Sequence, residues 1–330
     1  MRAVVIDPEL HDLVVADVAD PVAGPDMLLV RVRAAGLNRA DLIMRAGNYV
    51  TGTSRSGATS AKRVVAGGEL AGEVVGVGDG VSGWRVGDDV MSQGAGYAEL
   101  AAVDARLAMH VPVTLSWEEA GALPVALLTM HDALVTNGRW QVGESVLVHA
   151  VTSGVGVIGA QLALHLGAPV VIGTSRTPAK RDKLAALVAD ARLVLIDPAA
   201  VVATALERTD GHGIDVTIDN VGASVIAATL EAAAVKGRIV QVGRLGGRTG
   251  TLDLDELARK RVALIGVTFR TRTVDERVAV VRAAMADLAD AVASGVLRPP
   301  VHETFPLAEA RAAQDALARD EHIGKIVLVP

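Results

Sequence analysis

Residues 144–180, ESVLVHAVTSGVGVIGAQLALHLGAPVVIGTSRTPAK, restrict the fold more than any other stretch of this chain. SVLVHA (145–150) is a short β-branched run that reads as a strand, and residues 156–166 carry helical spacing. A second strand-like run, PVVIGTS (169–175), follows at the distance of a strand–helix–strand unit. Parallel strands so joined need a crossover, and the crossover is right-handed, so the segment commits the chain to a layered α/β sheet. Gly154, Gly156 and Gly159 form G-x-G-x-x-G at the start of the helix. In that setting the first glycine permits a tight turn, the second brings backbone close to a pyrophosphate, and the third lets helix and strand pack. The helix N-terminus adds free N–H groups and the positive end of its dipole. Three glycines at this spacing in this place imply a dinucleotide site, which a merely close-packed turn does not explain.

The end of the second strand selects the nucleotide. A site for NAD expects Asp or Glu about 20 residues beyond the glycines, on the ribose 2′-hydroxyl. Here the chain has Gly173-Thr174-Ser175-Arg176 and then Lys180. An uncharged turn with two cations suits a 2′-phosphate, which takes charge-assisted hydrogen bonds from Arg and Lys. NADPH is the expected cofactor, held by Ser175, Arg176 and Lys180. The competing reading is that the two cations only decorate the following helix.

Strands and helices keep alternating around this unit. Further strands are expected at 192–197, 214–222, 237–243 and 262–269, and helices at 178–190 and 223–235. SWEEAGALPVALLTMHDAL reads as one helix with Ser116 as its N-cap. The pattern predicts a doubly wound parallel sheet. The first third instead has short Val-rich runs punctuated by Gly, Pro and Asp, as in a β-rich unit. The tail, after an amphipathic helix at 274–294, ends in GKIVLV and looks like the first third again. The expected organisation is therefore α/β, with a β-rich domain from 1–125 and 267–330 and a nucleotide-binding domain at 126–266. Residues 50–63, Gly/Ser/Thr-rich with three cations, read as a loop.

Composition narrows the partners. Aromatics are only 2% of a chain that is 51% hydrophobic, so the apolar mass is Val, Ala, Leu and Ile, as covered parallel strands require. A formal charge of −6 with no basic run argues against nucleic acid. No apolar run approaches the ~20 residues of a membrane span. The first twenty residues carry acids where a signal peptide needs an apolar core, so a cytoplasmic protein is expected. With no cysteine, the chain lacks disulfides, thiolate ligands and a cysteine nucleophile.

These residues resemble the medium-chain dehydrogenase/reductase superfamily, in its zinc-independent quinone oxidoreductase (zeta-crystallin-like) branch. GLNRADLIMRAG (36–47) is similar to that branch's N-terminal Asn-containing motif. ELAGEVVGVGDGV, VGDDV, GYAEL, ALPVALLT, VHAVTSGVG and HIGKIVL match further blocks in the family's order, over nearly the whole length. The resemblance implies a GroES-like catalytic domain beside a Rossmann domain, an active cleft between them, and a homodimer joined through the Rossmann sheet edge near VALIGVTF. It implies that Asn38, Tyr49, Thr129, Gly154, Val155, Lys180, Val242, Gly243, Thr268, Phe269 and Lys325 fall where the family contacts cofactor or substrate.

Zinc-holding members of the family use Cys and His at positions where this chain has Asn38 and Gly67-Gly68-Glu69, so no metal is expected. Two departures stand out. The segment between Tyr49 and Glu69 is long, Gly/Ser-rich and without proline, and Asp197-Pro198 replaces the Tyr often found at the end of the third Rossmann strand.

Without a Lewis acid the fitting acceptors are quinones and α,β-unsaturated carbonyl compounds, which delocalise the charge that hydride addition creates. Asn38 and Tyr49 are the candidate catalytic residues. Asn38 would orient the nicotinamide ribose or the substrate carbonyl, and Tyr49 would bind the developing oxyanion or donate a proton. Against this, Asn38 can be a helix cap and Tyr49 a loop cover, while Asp41 and His149 read as structural. Arg244 and Arg248 suit an acidic substrate group or are plain loop arginines. Enoyl-thioester reduction, or double-bond reduction on a polyketide-like product, is the neighbouring activity. A nucleotide-binding protein without turnover is the remaining alternative.

Overall fold

The computed structural model describes residues 1–47 and 63–330. Tyr49 and nearly all of the 50–63 segment lie outside them. The chain forms two compact units, one from Met1–Val125 and Phe269–Pro330, the other from Ala126–Thr268.

The first unit is β-rich and of the GroES-like class. Strands β1 (Arg2–Asp7), β2 (Asp12–Asp17), β3 (Met27–Gly36), β4 (Val64–Val65), β5 (Glu69–Val77), β6 (Asp89–Gln93), β7 (Leu100–Asp104) and β8 (Met109–His110) come from its first segment. β3 is its centre: it pairs antiparallel with β5 and β7, so Leu28, Val30 and Val32 alternate into the core while Arg31 and Arg33 face outward. Those three residues pack with Leu70, Val74, Val90 and Tyr97 in one buried cluster.

In the second unit, β9 (Val146–Val148), β10 (Val171–Thr174), β11 (Leu193–Ile196), β12 (Ile214–Asp219), β13 (Ala233–Gln241) and β14 (Ala263–Gly266) form one sheet. Its order is β11-β10-β9-β12-β13-β14, and each pairing is parallel. The order turns back between β9 and β12, and ligands of such sheets bind at the carboxyl ends around that reversal. The chain then returns to the first unit. There β15 (Val301–Pro306) pairs with β16 (Lys325–Val329), which joins β3 through Val327 opposite Gly36.

Two expectations change. The helix opened by Ser116 is not continuous: it runs Trp117–Ala122 and restarts at Pro124–His131. Pro124 has no N–H to continue the first helix and is well placed at the start of the second. The cap itself forms, with Ser116 Oγ accepting from Glu119 N at 3.3 Å and Glu119 Oε2 from Ser116 N at 2.9 Å. The Ala-rich end of the helix expected at 223–235 is strand instead, because β13 begins at Ala233 and Ala233 pairs with Ile214. Burial in the sheet overrides alanine's helical preference there.

Candidate functional site

The glycine turn stands at the carboxyl end of β9. Ala150, just beyond it, takes a left-handed φ of 52°, a conformation that disfavours side chains and turns the chain sharply toward the helix Gly154–His165. Ser153 caps that helix, its Oγ accepting from Gly156 N at 3.1 Å. First-turn N–H groups have no partner within a helix, so those of Gly154 and Val155 are available to an anion. A Cβ on Gly156 would lie 2.3 Å from Ala150 O and 2.7 Å from Val151 Cα, so its bareness serves the turn itself. A Cβ on Gly159 would lie 2.9 Å from Met130 Sδ and 3.6 Å from Val148, so this glycine admits a neighbouring helix more than the strand.

Around the turn the strand ends are laced together. His149, fully buried, has Nδ1 3.0 Å from Thr174 Oγ1 and Nε2 2.8 Å from Thr229 Oγ1. Burial lowers its pKa to about 4, so the ring is neutral at pH 7. Asn220, one residue past β12, donates from Nδ2 to His149 O at 3.0 Å, while its buried Oδ1 has no partner among the described residues. Val242 N and Gly243 N donate to Asp219 O at 2.8 and 3.0 Å. A Cβ on Gly243 would lie 1.9 Å from Asn220 O, so only glycine fits. The unpartnered Asn220 oxygen and the bare turn fit a nicotinamide dinucleotide at this edge.

The end of β10 bears on the nucleotide's identity. Ser175 is buried and lies 3.3 Å from Thr152 through their hydroxyls, whereas Arg176 is exposed and Lys180 partly exposed. Arg181 donates to Ser175 O at 2.5 Å and lies 3.7 Å from Asp197 Oδ2. Asp197 Oδ1 also accepts from Ala199 N at 3.0 Å. The acid that replaces the expected Tyr is thus engaged by an arginine and a backbone amide. Thr129 is partly exposed on the helix Pro124–His131, and Thr268 ends the second unit where Phe269 resumes the first. Arg244 and Arg248 line a cavity of about 180 Å³ with Asp219 and Gln241, beyond β12 and β13.

In the first unit, Asn38 is the N-cap of the helix Arg39–Arg45. Its Nδ2 donates to Glu69 Oε1 at 2.9 Å and its Oδ1 accepts from Lys325 Nζ at 2.8 Å. Asp41, at the third helical position, supplies the reciprocal arm of a capping box, accepting from Asn38 N at 2.8 Å, and also accepts from Tyr97 O–H at 2.9 Å. Burial pushes Asp41 up to about 6, against those hydrogen bonds and Lys325. Lys325, placed at the cofactor by the resemblance, is 3% exposed and bonded to Glu69 Oε1 at 2.6 Å and Leu37 O at 2.8 Å as well.

Sequence reasoning missed Asn220, Thr152, Arg181 and the Glu69–Lys325 pair. Glu69 had one usable signal: a charge opening an otherwise apolar strand, ELAGEVV, calls for a buried counterion. Nothing near Glu69 pointed to Lys325, 256 residues away, as its partner.

Two family models match, an alcohol dehydrogenase GroES-like domain over residues 24–113 and a zinc-binding dehydrogenase over residues 174–328. The zinc of the second name does not fit here: the chain lacks cysteine, Glu69 already holds an ammonium, and no group of three acidic or His ligands exists among the described residues. A polyketide synthase from Mycobacterium marinum, named for phenolphthiocerol synthesis, is 32% identical over 97% of this chain, which spans 14% of that relative's length. Among solved structures, an alcohol dehydrogenase superfamily protein from Novosphingobium aromaticivorans has TM-score 0.87 and 30% identity, covering 100% of this chain and 99% of its own. A mycobacterial protein solved with NADPH has TM-score 0.83 and 30% identity, covering 100% of both chains. The CurK enoyl reductase has TM-score 0.83 and 26% identity, covering 99% and 98%. Quinone oxidoreductases stand among the same neighbours. With its GroES-like unit, its Rossmann sheet and these relatives, the chain is an oxidoreductase of the medium-chain dehydrogenase/reductase superfamily.

Proposed function

We propose that this chain uses NADPH to reduce the double bond of an α,β-unsaturated carbonyl compound, with an enoyl thioester as the favoured class, and that it does so without a metal. The observation that carries the reading is the ammonium of Lys325 on Glu69, in a chain with no thiolate ligand. An acceptor that disperses its own developing charge is the kind such a site can serve. Bound reduced nicotinamide supplies the hydride. The chain's residues hold and orient: the Gly154 and Val155 amides and the helix dipole take the pyrophosphate, and Ser175, Arg176 and Lys180 take the 2′-phosphate. Thr129, Val242, Gly243, Thr268 and Phe269 complete the cofactor contacts by analogy with the family. Asn38 orients the reactants, and Tyr49 or water delivers the proton to the enolate. Arg244 and Arg248 offer charge to an anionic tail, such as the phosphate of a pantetheine thioester. The outer edge of β14 is the surface through which two copies would pair.

The similarity to polyketide synthases and to an enoyl reductase supports the thioester over simple quinones. Quinone reduction is the second reading, favoured by the quinone oxidoreductase neighbours. NADPH oxidation measured with a crotonyl thioester, a cyclic enone and a benzoquinone separates them. Faster turnover of the thioester is expected; oxidation by the quinone alone selects the second reading. Tight NADPH binding with no oxidation by any of the three overturns both.

A further inference from the structure

We infer that Leu37 O, Asn38 Oδ1 and Glu69 Oε1 form an oxygen cage for one positive charge, and that Lys325 supplies it, so that an internal ammonium does the orienting work of an absent metal. The three oxygens lie 2.8, 2.8 and 2.6 Å from Nζ. An ammonium has three N–H donors, and all three are used. The cage is closed by design of the backbone. Leu37 N donates to Ile326 O at 2.9 Å and Lys325 N to Pro300 O at 2.9 Å, locking the start of β16 beside the end of β3. Gly36 leaves room for the carboxylate, since a Cβ there would lie 2.5 Å from Glu69 Oε1. The second carboxylate oxygen accepts from Val125 N at 2.7 Å.

The ion pair determines how the Asn38 amide points. Its oxygen faces the ammonium, and its Nδ2 faces the carboxylate at 2.9 Å. Turning the amide over would set NH2 against NH3⁺ and oxygen against carboxylate, so only one orientation survives. Lys325 and Glu69 are therefore positioning residues that act through Asn38. A fully buried ion pair is seldom a net source of stability, and orienting Asn38 is a use for one that does not depend on stability. The cage stands on geometry alone; its part in turnover rests on the reductase reading above.

The test uses the full chain. Lys325→Ala should lower the Tm and reduce kcat at least tenfold with little change in the KM for NADPH. Methylammonium or ammonium at molar-range concentration should restore Tm and kcat saturably in the variant and leave the wild type unmoved. Sodium at equal ionic strength, or zinc, should restore neither. The paired variant Glu69→Gln/Lys325→Met removes both charges together, and it should regain most of the Tm without regaining kcat. Wild-type kcat in the paired variant, no response of Lys325→Ala to amines, or restoration by zinc would each overturn the inference. The Tm response needs no substrate, so a wild type that oxidises no NADPH would sink the reductase reading while leaving the cage standing.

Discussion

The glycine turn, as the proposed seat of the pyrophosphate, and the ammonium cage address the same problem, holding a charged group in place, by opposite means. The turn is backbone: its parts lie within Ala150–Gly159, its donors are main-chain amides, and bare glycines stand where a Cβ would collide. The cage is side chain: it gathers residues 37, 38, 69 and 325 from three segments and buries two full charges. A backbone site tolerates many neighbouring sequences but no added Cβ. A side-chain site tolerates backbone variety but not the loss of a partner, because removing one member of a buried pair leaves an uncompensated charge and costs about 3–5 kcal/mol.

That contrast is broken most directly at Gly156. Gly156→Val should abolish detectable nucleotide binding, an effect of about a hundredfold or more in Kd, read by calorimetry with NADPH. The branched side chain would start 2.3 Å from Ala150 O, so the turn must open before any ligand arrives. Thermal unfolding should fall too, whereas the cage, assembled entirely in the other unit, should keep its response to Lys325 substitution. Unchanged NADPH affinity in Gly156→Val would remove the turn as the nucleotide site.

The same difference explains what could be read in advance. Glycine spacing, the strand–helix alternation and the Gly173–Arg176 turn are local signals, so the α/β class is legible from them and the dinucleotide edge is expected from them. Tyr97 illustrates the opposite: its O–H bonds Asp41 at 2.9 Å across 56 residues, and nothing in GYAEL announces it. Asn38 was singled out through the resemblance, yet its partners depend on how β3, β5 and β16 align. Where local preference and sheet pairing compete, as at Ala233, pairing wins and a helix expectation fails.

A smaller effect sharpens the nucleotide half. Solvent screening holds two charge-assisted hydrogen bonds from exposed side chains to a phosphate to about 1.5–3 kcal/mol together. Arg176→Ala/Lys180→Ala should therefore raise the Kd of NADPH about 10- to 100-fold more than that of NADH. Parallel titrations with the two nucleotides read this, and equal losses would mean that neither side chain meets a 2′-phosphate. Asp197 should not reverse the preference, because Arg181 and Ala199 N already engage its carboxylate.

The smallest effect sets the two regions against each other through pH. His149, in the Rossmann unit, has its pKa lowered to about 4 by burial. The unfolded chain protonates it near the ordinary value of about 6.5, so the unfolded state binds more protons between these values and stability falls on acidification through that window. From pH 7.5 to 5 this removes about 2 kcal/mol. Asp41, in the β-rich unit, is raised from 3.8 to about 6, chiefly by burial. Here the folded state binds the extra proton, so the same acidification adds about 1 kcal/mol. Asp219, also raised by burial, acts in the direction of Asp41. The wild type should therefore show a shallow loss of stability, by urea unfolding, between pH 7.5 and 5. Asp41→Asn keeps an oxygen for Asn38 N and Tyr97 O–H but cannot titrate, and it should steepen that loss. His149→Asn should lower stability at neutral pH through two weakened threonine contacts, yet flatten or invert the slope. Parallel curves for the wild type and both variants would show that neither buried group titrates as its surroundings dictate.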